Sequence, residues 1–153
     1  VGAIAMRLDE YRKKILEVPA IHALQPDLKS RIAMILLWIT HEADVSAGEI
    51  IYSQGAHDEN TGCILVTGAV KVTVEEETLK ECSSPEILGE MKQFTQSDER
   101  TATVTATKDA SILTFYWHDL VVLSDTVFSG DDQLAIRDVI TKLAGRRLME
   151  QQD

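Results

Sequence analysis

Between Val45 and Val74 the chain changes direction every few residues, and this most narrows the folds open to it. Gly48-Glu49-Ile50-Ile51-Tyr52-Ser53-Gln54-Gly55 reads as a short strand bracketed by glycines, followed by a polar loop from His57 to Thr61. Cys63 to Val66 forms a second strand, Gly68 turns, and Val70-Lys71-Val72-Thr73-Val74 alternates as a third. Glu75-Glu76-Glu77 is then a hairpin tip, solvated because its like charges repel. Short strands at this spacing, with turn signals between them, indicate a sandwich or barrel and exclude repeating β-α-β units.

Helical sequence flanks these strands. Residues 7–18 place Leu8, Tyr11, Ile15 and Val18 at helical spacing until Pro19 stops the run. A second helix is expected over Asp27 to Ile39, with Pro26 just ahead of it and Leu28, Ile32, Ile35, Leu36 and Ile39 as its buried stripe. Met34 and Trp38 read as core or subunit-contact residues, with an exposed Trp38 serving a partner as the alternative. His41-Glu42-Ala43-Asp44 reads as a solvated helix end, since no second histidine lies at metal-ligand spacing. After a last strand, Ser111 to Tyr116, a short helix over Leu120 to Leu123 is expected. A longer one follows, capped by Asp131-Asp132, over about 133–150, with Leu134, Ile136, Val139, Ile140, Leu143 and Leu148 on one broad face.

The stretch from Ser84 to Ala106 carries the chemistry. An apolar approach, Ile87 and Leu88, leads to Gly89-Glu90, one helical turn, a polar loop and Glu99-Arg100-Thr101. Val104 and Ala106 then alternate with threonines in a half-buried strand. Gly89 lets the backbone approach a ligand closely, and a turn starting at Glu90 leaves backbone N–H groups facing outward. Arg100 adds a forked, permanently charged donor, and Glu90 can accept a hydrogen bond from a sugar hydroxyl. Together these residues make a site for a sugar phosphate. Glu90 and Arg100 as a surface ion pair is the plainer account of the same residues.

Here the sequence resembles the phosphate-binding cassette of the cyclic nucleotide-binding domain family, which includes bacterial catabolite activators and protein kinase A regulatory subunits. Leu88-Gly89-Glu90-Met91, a loop, and Arg100-Thr101-Ala102-Thr103-Val104 carry the resemblance, and Gly48-Glu49, Gly55 and Gly68-Ala69-Val70 match the opening of the family's barrel. The resemblance covers roughly Gly48 to Asp119. It implies a mainly β fold with flanking helices: a double-stranded β-helix, or jelly roll, with N-terminal helices and a C-terminal helix pair. The expected organisation is one domain over 1–153, with helices over 1–44, the jelly roll over 45–118 containing the cassette at 87–102, and helices over 119–153.

The resemblance implies ligand-binding residues Leu88, Gly89, Glu90, Met91, Arg100, Thr101 and Ala102. Backbone N–H groups around Gly89 to Met91 and the Arg100 side chain hold the cyclic phosphate, Thr101 and Ala102 complete that wall, and Glu90 takes the ribose 2′-hydroxyl. The ligand expected from family frequency is cyclic AMP, with cyclic GMP open because Thr101 follows the arginine. The resemblance further implies that ligand binding orders the cassette and draws the last helix inward, so that a regulatory sensor and not an enzyme is expected, with no cofactor and no metal. The departures are Pro85 for a common glycine, Cys63 for a common aromatic, and Lys92-Gln93 for small or apolar residues. A degenerate, ligand-free scaffold for protein contacts, dimerising through the C-terminal helix, is the alternative.

Composition removes several other classes. A net charge of −10 repels DNA and acidic lipid. Arg146 and Arg147 are too few for a DNA-reading surface, so no DNA binding is expected of the chain as given. Apolar runs such as Ile32 to Ile39 are too short to span a bilayer. The opening VGAIAM lacks a secretory pattern, and it lacks an initiator methionine, as in a processed chain or a piece of a longer one. Cys63 and Cys82 form no disulfide framework and fit reduced thiols in a cytoplasmic protein. Histidines 22, 41, 57 and 118 are scattered, against the clustered ligands a metal-dependent cupin needs.

Overall fold

Among the described residues, eight strands fold as one long hairpin bent over on itself. The computed structural model describes residues 2–57, 60–89, 99–127 and 130–135. Strands β1 (His41–Val45), β2 (Ile50–Tyr52), β3 (Thr61–Thr67) and β4 (Ala69–Val74) run out to a tip. Strands β5 (Glu77–Ser83), β6 (Glu86–Leu88), β7 (Thr103–Ala106) and β8 (Ala110–Tyr116) run back. Each outgoing strand pairs antiparallel with its returning counterpart: β1 with β8, β2 with β7, β3 with β6 and β4 with β5. Cross-pairings of β3 with β8 and of β4 with β7 complete two four-stranded sheets, ordered β1-β8-β3-β6 and β2-β7-β4-β5. This is a jelly roll, as the resemblance implied.

The tip of the hairpin is set by backbone geometry. Val74 lies opposite Glu77, leaving Glu75 and Glu76 as a two-residue loop with φ of 51° and 68°. Two central residues at positive φ match the right-handed twist of the flanking strands. Glu75 is tied down by Gln54, which accepts from the Glu75 N–H and donates to its carboxylate, both at 2.9 Å. Glu77, read from sequence as part of the tip, instead opens β5.

Two apolar clusters share the sheets. Cys63, Leu65, Leu88, Ala110 and Ile112 from the first sheet meet Tyr52, Val70, Cys82, Val104 and Ala106 from the second, filling the barrel. The alternate residues Ile64, Val66, Ile87, Leu113 and Phe115 face outward, under the helices. β3 is therefore buried on both faces, which is why Cys63 to Val66 lacks polar alternation. The covering helices are α1 (Gly2–Glu17), α2 (Pro19–His22), α3 (Pro26–Ile39) and α4 (Trp117–Val127). Ile15 and Val18 near the end of α1, and Leu28, Ile32, Ile35 and Leu36 on α3, are buried there. Proline at N1 opens both α2 and α3, where its missing N–H costs nothing.

Several expectations are corrected. His41-Glu42-Ala43-Asp44 is no helix end: α3 stops at Ile39, Thr40 turns extended with ψ of 153°, and the segment pairs with β8 from His41 opposite Thr114 to Val45 opposite Ala110. The sheet therefore begins at His41. Nothing in the sequence marks this strand, because it lies at a sheet edge with four of its five residues exposed. Of the two readings of Met34 and Trp38 the core one is overturned, since they are 68% and 85% exposed on the outer side of α3, a position that leaves the subunit-contact reading open. Leu8 and Leu134 are also exposed. The helix expected over Leu120 to Leu123 extends from Trp117 to Val127. Residues 130–135 are helical, and the rest of the expected final helix lies outside the described residues.

Candidate functional site

The end of β6, the start of β7, the end of β2, the start of β3 and the start of α4 meet at one end of the barrel. Strand pairing brings them there: Tyr52 opposes Val104, Cys63 opposes Leu88 and Thr61 opposes Tyr116. Of the residues singled out from sequence, Leu88, Gly89, Arg100, Thr101 and Ala102 gather at this end. Glu90 and Met91 lie outside the described residues, as do the helical turn expected at Glu90 and the departures at Lys92 and Gln93.

Gly89 leaves β6 with φ of 88°, a conformation that costs a residue with a β-carbon about 1–2 kcal/mol. Space is as restrictive as torsion, since a β-carbon there would lie 2.9 Å from the Thr61 carbonyl oxygen and 3.2 Å from both Gly62 Cα and Tyr52 Cε2. The glycine thus lets the chain lie directly on the start of β3. Its own carbonyl accepts from the indole Nε1 of Trp117 at 3.3 Å. Trp117 is buried, opens α4, and meets Phe115 edge-on with ring centroids 4.9 Å apart. Leu88 is wholly buried, and its side chain helps fill the barrel.

Arg100 is 4% exposed, an unusual degree of burial for a guanidinium. Its backbone extends the β2–β7 pairing outward, donating from N to the Ala56 carbonyl at 3.0 Å and accepting from the Gly55 N–H at 2.8 Å. The side chain turns inward. Nη2 donates to the Thr61 carbonyl at 3.1 Å and to Thr61 Oγ1 at 3.2 Å. The guanidinium carbon lies 3.9 Å from the Tyr52 ring centroid, a cation–π contact in a dry setting. Burial, helped by the nearby Cys63 thiol, pushes the Tyr52 hydroxyl far above the ordinary tyrosine range, so the ring beside the cation stays neutral. Thr101 is half-buried and Ala102 is buried. Outside this cluster, His57 and Glu99 approach to 3.3 Å at the surface.

Sequence reading missed Tyr52, Thr61 and Trp117. Tyr52 looks like an ordinary strand residue, Thr61 like the end of a loop and Trp117 like the lead into a helix. Their gathering around Arg100 and Gly89 appears only when strands of both sheets and the start of α4 are brought together.

With this geometry in place, comparison with known proteins defines the class. A family model for the cyclic nucleotide-binding domain matches residues 42–126, more than half of the chain, and the chain belongs to that family. Among solved structures, a cyclic nucleotide-binding domain from Methylobacillus flagellatus superposes with a TM-score of 0.73 at 15% identity, covering 95% of this chain and 80% of that one. The catabolite activator protein of Thermus thermophilus gives 0.67 at 22% identity, covering 88% of this chain. This chain spans 60% of the length of that activator. PKAR CBD2 with Sp-2Cl-cAMPS bound gives 0.64 at 17% identity, covering 91% of this chain and 92% of that one. At these identities the likeness shows the fold. A search of the curated proteins finds no match.

Proposed function

We propose that this chain is a regulatory sensor for a cyclic nucleotide, cyclic AMP first and cyclic GMP second, and that its output is a changed conformation and not a chemical product. The reading rests chiefly on a buried arginine beside a positive-φ glycine, both resting on the same residue, Thr61. In this reading Arg100 holds the cyclic phosphate together with the backbone N–H groups of Gly89, Glu90 and Met91. Leu88 contributes its backbone, Thr101 and Ala102 form the adjoining wall, and Glu90 takes the ribose 2′-hydroxyl. A net charge of −10 does not oppose this, because one guanidinium in a poorly solvated place dominates the local field.

The contact between Trp117 and Gly89 supplies a route for the output. An anion that repositions the Gly89 backbone must move or strain the hydrogen bond from the residue that opens α4. A ligand shifts such an equilibrium only by binding one arrangement better than the other, and this contact differs between the two in this account.

A second reading, a ligand-free scaffold dimerising through its C-terminal helix, is favoured by one observation: Arg100 Nη2 already has two acceptors within the protein. Calorimetric titration with cyclic AMP and cyclic GMP separates the two. The sensor binds one equivalent of at least one nucleotide. Arg100→Lys, which keeps the charge but loses the planar fork, binds more weakly, and Arg100→Ala loses about 2–5 kcal/mol of binding free energy. Equal binding by all three proteins removes Arg100 from the site, and no heat with either nucleotide favours the scaffold.

A further inference from the structure

Arg100 is gripped from two walls of the barrel. Tyr52, on β2 of one sheet, lays its ring against the guanidinium, and Thr61, on β3 of the other, takes Nη2 on two oxygens. Those two oxygens are chemically distinct. The carbonyl, at 3.1 Å, remains whatever residue occupies position 61, whereas Oγ1, at 3.2 Å, belongs to the side chain alone. A guanidinium is planar and its donors match phosphate oxygens only when that plane is correctly turned. An unrestrained arginine has many rotamers to lose when an anion fixes it, and prior restraint lowers that cost. Thr61 also sets the height of the glycine turn, because its carbonyl oxygen is the atom a Gly89 β-carbon would meet first.

We propose that Thr61 is a positioning residue of the anion site. Its hydroxyl and carbonyl fix the plane of Arg100 against the Tyr52 ring before ligand arrives. The same residue spaces the guanidinium from the Gly89 backbone. The two halves of the phosphate site, one from β6 and one from the start of β7, are thus held in register by a third strand. This inference rests on the cyclic-nucleotide reading above and adds to it the residue that sets affinity.

The test compares the full chain with Thr61→Val, which keeps the shape and strand preference but removes the side-chain acceptor, and with Thr61→Ser, which retains the hydroxyl. Cyclic AMP and cyclic GMP are titrated into each by calorimetry, and the melting temperature of each unliganded protein is measured alongside. Thr61→Val is expected to bind about tenfold more weakly, as befits one lost hydrogen bond to a charged group. Thr61→Ser is expected within about twofold of the parent, a rescue that a purely packing role does not give. Parent-like binding by Thr61→Val overturns the positioning role. Tighter binding also overturns it, making the hydroxyl a competitor for Nη2. Equal weakening in Val and Ser, tracking a lowered melting temperature, overturns it in favour of a packing defect. If the parent chain binds neither nucleotide, the sensor reading itself falls and takes this role with it.

Discussion

Replacing Gly89 by alanine tests whether the glycine turn really lies on β3. Two costs add. The positive φ of 88° charges any residue with a β-carbon about 1–2 kcal/mol. The new methyl also meets the Thr61 carbonyl oxygen at 2.9 Å, with Gly62 Cα and Tyr52 Cε2 at 3.2 Å. Two of those three atoms are backbone of a strand buried on both faces, so relief requires β3 or the turn to move, at about 1–3 kcal/mol. The sum is about 2–5 kcal/mol. Gly48→Ala isolates the torsional part, since Gly48 has φ of 92° with nothing within 4 Å of the place its methyl would take, and should cost about 1–2 kcal/mol. Urea unfolding followed by far-UV circular dichroism measures both. With a slope of about 1–3 kcal/mol per molar urea, Gly89→Ala should unfold roughly 1–2 M earlier than the parent, and Gly48→Ala less early. Equal destabilisation by the two substitutions refutes the close approach of Gly89 to Thr61.

Two further outcomes follow from buried or paired side chains. Burial and the neighbouring Glu42 carboxylate push the Tyr11 hydroxyl from 10.0 up to about 12. A folded value above the unfolded one gives stability that is complete below pH 10 and lost as pH rises from 10 towards 12. Glu42→Gln should therefore lower one tyrosine transition in an alkaline absorbance titration, and an unchanged curve contradicts the assignment. The two tryptophans differ sharply, Trp38 being 85% exposed and Trp117 2% exposed. In Trp38→Phe the remaining emission should be blue-shifted, resistant to acrylamide and altered by saturating nucleotide, because Trp117 bonds the Gly89 carbonyl. Emission indifferent to bound nucleotide removes Trp117 from the output route.

The parts of this fold legible in sequence are those whose residue types carry their own physics. Glycines at 48, 55, 68 and 89 all adopt positive φ, and each reads in the sequence as a turn or a close approach. Arg100 is legible only in company: alone it reads as half of a surface ion pair, and the pattern of Leu88 to Met91 followed by Arg100 to Val104 marks it as part of a cassette. β1 is hidden because His41 to Asp44 shows neither apolar alternation nor burial, and its partner β8 lies far along the chain. Met34 and Trp38 share an apolar helix, yet the stripe of Leu28, Ile32, Ile35 and Leu36 decides which side faces the barrel and turns them outward. Tyr52 and Thr61 are ordinary residues in isolation. Only closure of the jelly roll, which sets strands of two sheets around one guanidinium, gives them a task.

The most direct measurement is the melting temperature of the full chain across a dilution series of cyclic AMP and of cyclic GMP. A nucleotide at 100 times its dissociation constant adds about 2.7 kcal/mol, which for a chain of this size raises the midpoint by roughly 5–11 °C. The account expects such a rise with at least one of the two, growing by about 1.4 kcal/mol of stabilisation for each further tenfold in nucleotide, and cut to below about 1 kcal/mol at the same concentration in Arg100→Ala. A midpoint that stays fixed with both nucleotides up to millimolar concentration contradicts it.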